Sequence, residues 1–170
     1  MADDNSIIDV LIVIDEETIL TDYGTNNTPD TPTQITKPNL IFMVTKQANV
    51  ISGEAGTELK LSAKSLDVIR WREATLSLNS ANTAILYKFV AASGGDLISQ
   101  PVPLLADVTD PLPNPSDPTH PGSQTIKSYF WNSTVLSAGN VTYHFQFMIV
   151  DREGNIQGYY WWDPFITITD

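Results

Sequence analysis

Apolar and polar side chains alternate with a period of two along the clearest segment of the chain, residues 141–149. Tyr143, Phe145, Phe147 and Ile149 recur at every second position, with Thr, His, Gln and Met residues between them. This period is typical of a β-strand with one buried face. We therefore predict that these four apolar side chains line a core.

A turn sequence, DREGN at residues 151–155, separates this strand from the aromatic run GYYWWDPF. The two segments predict a hairpin, because Gly and Asn suit the positive backbone angles of a tight turn. Successive side chains of a strand point to opposite faces. Tyr160 and Trp162 are predicted to face the core, which leaves Tyr159 and Trp161 on the outer face.

The same strand raises two further expectations at its end. Ile166 and Ile168 continue the inward face beyond the proline, and Asp163 stands beside the outward rings. Pro164 cannot donate a ladder hydrogen bond, so it predicts an edge strand or a bulge.

Other short apolar or alternating segments recur at intervals typical of a β-sandwich, and no dozen residues show a clear helical period. They are residues 7–14, 40–45, 58–63, 68–73 and 84–91. Residues 23–38 and 101–122 lack periodicity and are rich in proline or polar residues, which predicts long loops. We predict an all-β fold, an antiparallel two-sheet β-sandwich with long proline-rich loops, formed as a single domain by residues 1–170.

Composition limits the classes of partner. The chain has 170 residues, of which 42% are hydrophobic, and a net charge of −11. This charge repels nucleic acids and anionic membranes, so we expect neither as a partner. The absence of cysteine excludes disulfides and thiolate chemistry. The start of the chain has two acidic residues and a short apolar run, which predicts a cytoplasmic protein without a signal peptide.

The sequence contains few residues in patterns typical of an active site. His120 lies in the proline-rich segment and His144 on the polar side of a strand, so neither belongs to a nucleophile motif. We expect surface or structural roles for both. Arg70 and Arg72 lie on one face of a strand and Trp71 between them points to the other face. We expect the arginines to form salt bridges on an outer surface, and a binding role is the alternative. We predict a protein that is not an enzyme and has no cofactor, with calcium as a possible exception.

Calcium is a possible ligand because hard carboxylate oxygens crowd two strand ends. The candidate ligands are Asp15, Glu16, Asp22 and Asp151. They do not match an EF-hand loop, and the alternative is that these charges simply face water.

Several segments together resemble the AidA/PixA family of small bacterial proteins, and the similarity spans nearly the whole chain. They are IDVLIVIDEETIL, SGEAGTELKLSAKSLDVIRWRE, SYFWNSTVL and VTYHFQFMIVDREGNIQGYYWWDPFI. The resemblance implies either a quorum-sensing-controlled product, the AidA type, or the main component of cytoplasmic crystalline inclusions, the PixA type. It implies no catalytic residues.

Two functional hypotheses follow. The first is a lectin-like protein, since sugar rings stack on aromatic faces and polar side chains bind hydroxyls. Its predicted site residues are Tyr159, Trp161, Asp163, Trp131 and Asn132. The second is a structural or storage protein that self-assembles through exposed rings and rigid loops, which agrees with an expected homo-oligomer. For any single ring, burial in the core or in a subunit interface is the alternative.

Overall fold

The structure, a computed structural model, describes residues 5–78 and 81–168, the last four of these by their backbone alone. It is mostly β-structure with one short α-helix. The strands are β1 (Ile7–Ile14), β2 (Thr33–Gln34), β3 (Ile41–Val44), β4 (Val50–Ser52), β5 (Lys60–Leu61), β6 (Val68–Thr75), β7 (Asn82–Ser93), β8 (Val102–Leu112), β9 (Gly122–Thr134), β10 (Gly139–Asp151), β11 (Ile156–Trp162) and β12 (Phe165–Ile168). The helix is α1 (Glu16–Tyr23), and two 3₁₀ turns span Gln47–Asn49 and Gly95–Leu97.

Sheet 1 has the strand order β3-β1-β6-β9-β8. Its central pair, β1 and β6, is parallel along its whole length, with Ile8 opposite Ile69 and Val10 opposite Trp71. The prediction of a purely antiparallel fold is therefore wrong. Parallel pairing needs a crossover connection, and here the chain between the two strands contains α1, β2 to β5 and their turns.

Sheet 2 is built around β10. Strand β7 pairs with one edge of β10, and β11 followed by β12 pairs with the other edge. Pro164 predicted an edge strand or a bulge; instead, the strand is interrupted at residues 163–164, and β11 and β12 keep the same register with β10 on either side. Strand β2 then pairs in parallel with β11, so β11 is not a free edge at residues 160–161. A third, two-stranded sheet joins β4 and β5.

The inner faces of the two main sheets enclose an aromatic core, as in a β-sandwich. Tyr143, Phe145, Phe147 and Ile149 are all fully buried, which confirms the predicted face of β10. Across the sheets, Trp71 packs edge-on against Phe145, and its Nε1 donates a hydrogen bond of 3.2 Å to the hydroxyl of Tyr143. Burying a side chain of this size stabilises the fold by about 1.5–3 kcal/mol.

Helix α1 was not predicted, because eight residues are too few to show a helical period. Its local signals are nonetheless present. Asp15 Oδ1 accepts a hydrogen bond from the backbone N–H of Thr18 at 3.1 Å, and Glu16 and Glu17 lie in the first turn, where carboxylates favour the helix dipole. The helix ends at Gly24, whose φ of 67° is easily adopted by glycine. No described helix is long and apolar enough to cross a membrane.

The first half of the second proline-rich segment is a strand, not a loop. Residues 102–112 form β8, which pairs along its whole length with β9. Residues 122–130 of β9, on the turn side of the strand, pair only with β8. Residues 104–130 therefore form a two-stranded extension of sheet 1. We call this the hairpin arm. Pro103 and Pro111 were read as loop signals, but proline is tolerated in an edge strand such as β8.

Candidate functional site

The outer face of sheet 2 carries a cluster of rings and polar groups where β10 and β11 run side by side. We call it the outer aromatic face and define it by His144, Gln146, Tyr159, Trp161 and Asp163. Gln146 lies directly opposite Trp161 in the β10–β11 register. Tyr160 and Trp162, by contrast, are fully buried in the core, so the predicted alternation of faces along β11 is confirmed.

The ring of Trp161 packs against His144. Their centroids are 4.7 Å apart with a tilt of 46°. Burial lowers the pKa of His144, and the nearby Lys88 lowers it further, while Asp163 opposes both. The imidazole is therefore neutral at neutral pH, and its Nδ1, 3.7 Å from Asp163 Oδ1, makes no strong ion pair there.

Gln146 is the least expected feature of this face. It is only 8% exposed although it lies on the outer side of the sheet. Its amide oxygen Oε1 has no hydrogen-bond partner among the described residues. A buried acceptor left unpaired costs about 1–3 kcal/mol. Lys88 and Trp161 lie on either side of it in register, so a ligand would reach the buried oxygen only after one of these side chains moved.

Tyr159 lies at the other end of the face and is less free than predicted. It packs edge-on against Tyr87 with ring centroids 5.5 Å apart, and burial raises the pKa of Tyr87 to about 12. The segment after α1 also covers this end, because Asn26 and Pro29 accept hydrogen bonds from the Tyr159 N–H and the Tyr87 hydroxyl. Tyr159 and Trp161 both lie on the outer face, as predicted, but the chain itself half-buries them.

Two predicted sugar-binding residues lie elsewhere. Trp131 is 6% exposed, and its Nε1 donates to the backbone oxygen of Leu86 at 3.2 Å within the core. Asn132 faces the outer side of sheet 1, opposite Arg70 in the register. Neither residue belongs to the outer aromatic face, because both are on β9 of the other sheet. Tyr159, Trp161 and Asp163 are the three predicted residues that the fold brings together.

The outer side of sheet 1 is the salt-bridged surface expected for Arg70. Its Nε and Nη2 lie 2.6 and 2.9 Å from the two carboxylate oxygens of Asp9, and its guanidinium covers the ring of Phe130 at 5.1 Å. A groove of about 400 Å³ passes between this pair and the hairpin arm. Asp9 thus occupies the Nε and Nη2 donors of Arg70.

The four predicted calcium ligands do not form a site. Asp15 caps α1, Glu16 turns inward and binds the hydroxyl of Ser77, and Asp22 pairs with Lys37 at 2.9 Å. Asp151 accepts hydrogen bonds from its own turn, including two backbone N–H groups. Among the residues that the structure describes, no three His, Asp or Glu side chains are placed to hold a metal ion.

The sequence reading missed Gln146 and gave His144 only a generic surface role. Alternation alone puts both on the outer side of β10, but it does not show which residue of β11 lies beside each. The predicted inward positions Ile166 and Ile168 have side chains outside the described residues.

Comparisons with known proteins agree on one family. The family model of PixA, described as an inclusion body protein, matches residues 6–168. The crystal structure of inclusion body protein (PixA) from Burkholderia cenocepacia J2315 is similar with a TM-score of 0.84 and 20% identity, over 99% of each chain. Identity this low shows the fold alone.

Two further solved structures are too distant to support an argument. A cysteine protease inhibitor from Entamoeba histolytica has a TM-score of 0.30 and 15% identity, over 65% of this chain and 86% of that one. Amebosin has a TM-score of 0.26 and 8% identity, over 82% of this chain and 99% of that one. None of the curated proteins matches this chain.

Proposed function

This chain belongs to the PixA inclusion body protein family, and we propose that it is a carbohydrate-binding member whose site is the outer aromatic face. The proposal assigns it no enzymatic activity. A sugar ring would stack on Trp161, and its hydroxyls would bind the polar side chains beside that ring. Tyr159 would border the site at one end and Asp163 at the other.

The observation that carries the proposal is the free amide oxygen of Gln146 beside a half-buried indole. Sugar hydroxyls are donors and acceptors at once, so one hydroxyl could satisfy Gln146 Oε1 once a side chain beside it moves, while the sugar's C–H face covers Trp161. His144 and Asp163 add a neutral imidazole and a carboxylate within reach of the same ring. Binding would replace the unpaired acceptor by a hydrogen bond, which is a gain that exists only in the complex.

The test is a glycan array probed with the wild-type protein and two variants. Trp161→Ala should weaken every positive signal by roughly tenfold or more, the size expected for a central aromatic contact. Phe130→Ala, which removes a half-buried ring from the outer side of sheet 1, is the matched control and should bind like the wild type. Equal loss in both variants, or no positive glycan at all, would contradict the proposal.

Stability measurements on the two neighbouring tryptophans distinguish a loss of binding from a loss of folding. Trp161→Ala should cost less free energy of unfolding than Trp162→Ala, because Trp162 is 1% exposed and its removal opens a core cavity worth about 3–5 kcal/mol. If both variants unfolded equally easily, loss of binding by Trp161→Ala would be a folding effect.

A second function, ordered self-assembly, is favoured by a separate feature, the hairpin arm. Strand β8 is at the edge of sheet 1, and its side chains are largely exposed, with Leu105 at 78%. Leu104, Val108 and Leu112 are also exposed, on the opposite face of the strand. A two-stranded hairpin is only marginally stable alone, so packing against the arm of a second copy would stabilise it. The description of the family as inclusion body proteins agrees with such assembly.

Leu105→Lys tests the assembly function. The variant should fold normally but show a lower average mass in sedimentation at high protein concentration, because the charge would be placed in the contact. Leu136→Lys, at a position that is 49% exposed away from the arm, is the control. An unchanged mass distribution for Leu105→Lys would remove the arm as the contact.

A further inference from the structure

Resting on the proposed carbohydrate function, we infer that the protein binds a neutral glycan of at least two sugar residues. The first residue would lie on the outer aromatic face. The second would enter a separate polar cavity around the edge of sheet 2, on the far side of Asp163.

The cavity lies where β2, β11 and the segment before β5 meet. Its volume is about 270 Å³, and its lining residues include Gln34, Thr36, Lys37, Thr57, Glu58 and Trp162. Pockets for drug-sized ligands range over roughly 300–1,000 Å³, so this one suits a group the size of a single sugar ring. Its lining combines hydroxyls, an amide, carboxylates and an ammonium with the edge of one indole.

Trp162 supplies an independent sign that the cavity is built for a ligand. The residue is 1% exposed, yet its indole Nε1–H has no acceptor among the described residues. Buried indole N–H groups usually find a partner. Trp71 and Trp131, the other two tryptophans of the core, both donate from Nε1 at 3.2 Å. The unpaired donor therefore lies at the one core tryptophan that also lines this cavity.

Asp163 connects the two subsites. Its Oδ1 lies 3.7 Å from His144 on the outer aromatic face, and its Oδ2 lies 3.5 Å from Gln34 Nε2 at the cavity. Both distances are too long for strong hydrogen bonds, so both oxygens remain available to hydroxyl donors. The side chain is 45% exposed, and one carboxylate can accept from two adjacent sugars at once.

The charges of the cavity select a neutral sugar. Glu58 and Asp163 are carboxylates, while Lys37 is already held by Asp22 at 2.9 Å. An acidic sugar would meet two like charges and one neutralised ammonium. A neutral sugar offers hydroxyl hydrogens to the carboxylates, and a small local movement would let one of its hydroxyl oxygens accept from the buried Trp162 N–H.

The experiment compares sugars of increasing length by calorimetry. The probes are methyl glycosides of glucose, galactose, mannose, fucose and N-acetylglucosamine, and disaccharides that contain the same sugars. For the wild type we expect the best disaccharide to bind about tenfold more tightly than its monosaccharide, as one or two added hydrogen bonds to charged groups would give. Glu58→Ala and Trp162→Phe should remove this gain. Trp162→Phe keeps a ring in the core and deletes only the N–H and part of the volume.

Glu54→Ala removes an exposed carboxylate outside the cavity and should keep the full gain with chain length. If the disaccharide gains nothing, or if Glu58→Ala keeps the gain, the two-subsite inference is overturned while a site at Trp161 stands. If no sugar binds the wild type, the proposed function and this inference fall together. If binding depends on Glu58 but not on Trp161, the cavity alone binds sugar, and both the proposed site and the two-subsite inference are wrong.

Discussion

At the residue scale, the unpaired amide oxygen of Gln146 predicts that this residue lowers the stability of the fold and strengthens sugar binding. Gln146→Met removes a buried acceptor without a partner and keeps a side chain of similar length, so the free energy of unfolding should rise by about 1–2 kcal/mol. The same change should weaken sugar binding. Chemical denaturation and calorimetry measure the two effects on one sample.

Gln157→Met is the control for this substitution. The Gln157 amide donates to Asp151 Oδ2 at 3.0 Å, so its loss should not stabilise the protein. A Gln146→Met protein that is destabilised would mean that the glutamine has a partner in solution and is an ordinary structural residue.

A second prediction at this scale concerns the pH dependence of stability, which we expect to depend on Glu73. Its side chain lies between the sheets, and burial raises its pKa from 4.5 to about 7, against the weaker effects of the backbone N–H groups of Glu73 and Leu86 and the charge of Arg72. The folded state thus holds the proton more tightly than the unfolded state. The stabilisation is complete below pH 4.5 and is lost as the pH rises through about 7, a fall of about 3 kcal/mol.

Glu73→Gln should flatten this dependence, because the amide does not titrate. Denaturation at about pH 5 and about pH 8 compares the two proteins, and the variant should gain on the wild type at the higher pH. A constant difference between the two proteins at both values would show that Glu73 does not titrate in this range.

At the element scale, helix α1 shows that a helix of eight residues is too short to be recognised by its hydrophobic period. Its ends could have been predicted from Asp15 followed by two glutamates and from Gly24, nine residues after Asp15, since those are ordinary signals for the ends of a helix. Asp15→Ala should lower the free energy of unfolding by about 0.5–2 kcal/mol. Asp15→Asn keeps the capping oxygen and should cost much less. Equal losses, measured by thermal melting, would mean that charge and not capping is the role of Asp15.

The β10–β11 hairpin shows how far the sequence specifies the site. Counting outward from the predicted turn would pair Gln146 with Tyr160, which places an outward residue opposite an inward one. The structure resolves this with a register shift between Ile149 and Val150, so that Gln146 faces Trp161. Faces follow from alternation, whereas neighbours across strands depend on a bulge that the sequence does not locate.

The strand order could not be predicted from the sequence for a related reason. The apolar pattern of β1 is equally consistent with a parallel or an antiparallel neighbour, because either arrangement buries the same face. Likewise, prolines in β8 resemble a loop until its position at the sheet edge is known. Local patterns gave the core residues and most strands, and the pairing of distant segments remained undetermined.

At the scale of the whole molecule, the net charge of −11 opposes contacts between copies. If the hairpin arm mediates assembly, salt should strengthen it, since about 0.5 M salt shortens the screening length to a few ångströms. Sedimentation at low and high salt should show a higher average mass in high salt for the wild type, and no such rise for Leu105→Lys. A mass that falls with salt would indicate that attraction between opposite charges, and not apolar contact, joins the copies.

The central claim, a sugar site on the outer aromatic face, is tested most directly by nuclear magnetic resonance on the ¹⁵N-labelled protein. The Gln146 side-chain amide and the Trp161 indole each give a resolved N–H signal that reports on its own surroundings. Titration with the methyl glycosides should move both signals together in proportion to the bound fraction, while the Trp131 indole, buried against Leu86, stays unchanged. If a sugar that binds moves neither the Gln146 nor the Trp161 signal, the site lies elsewhere and the account is wrong.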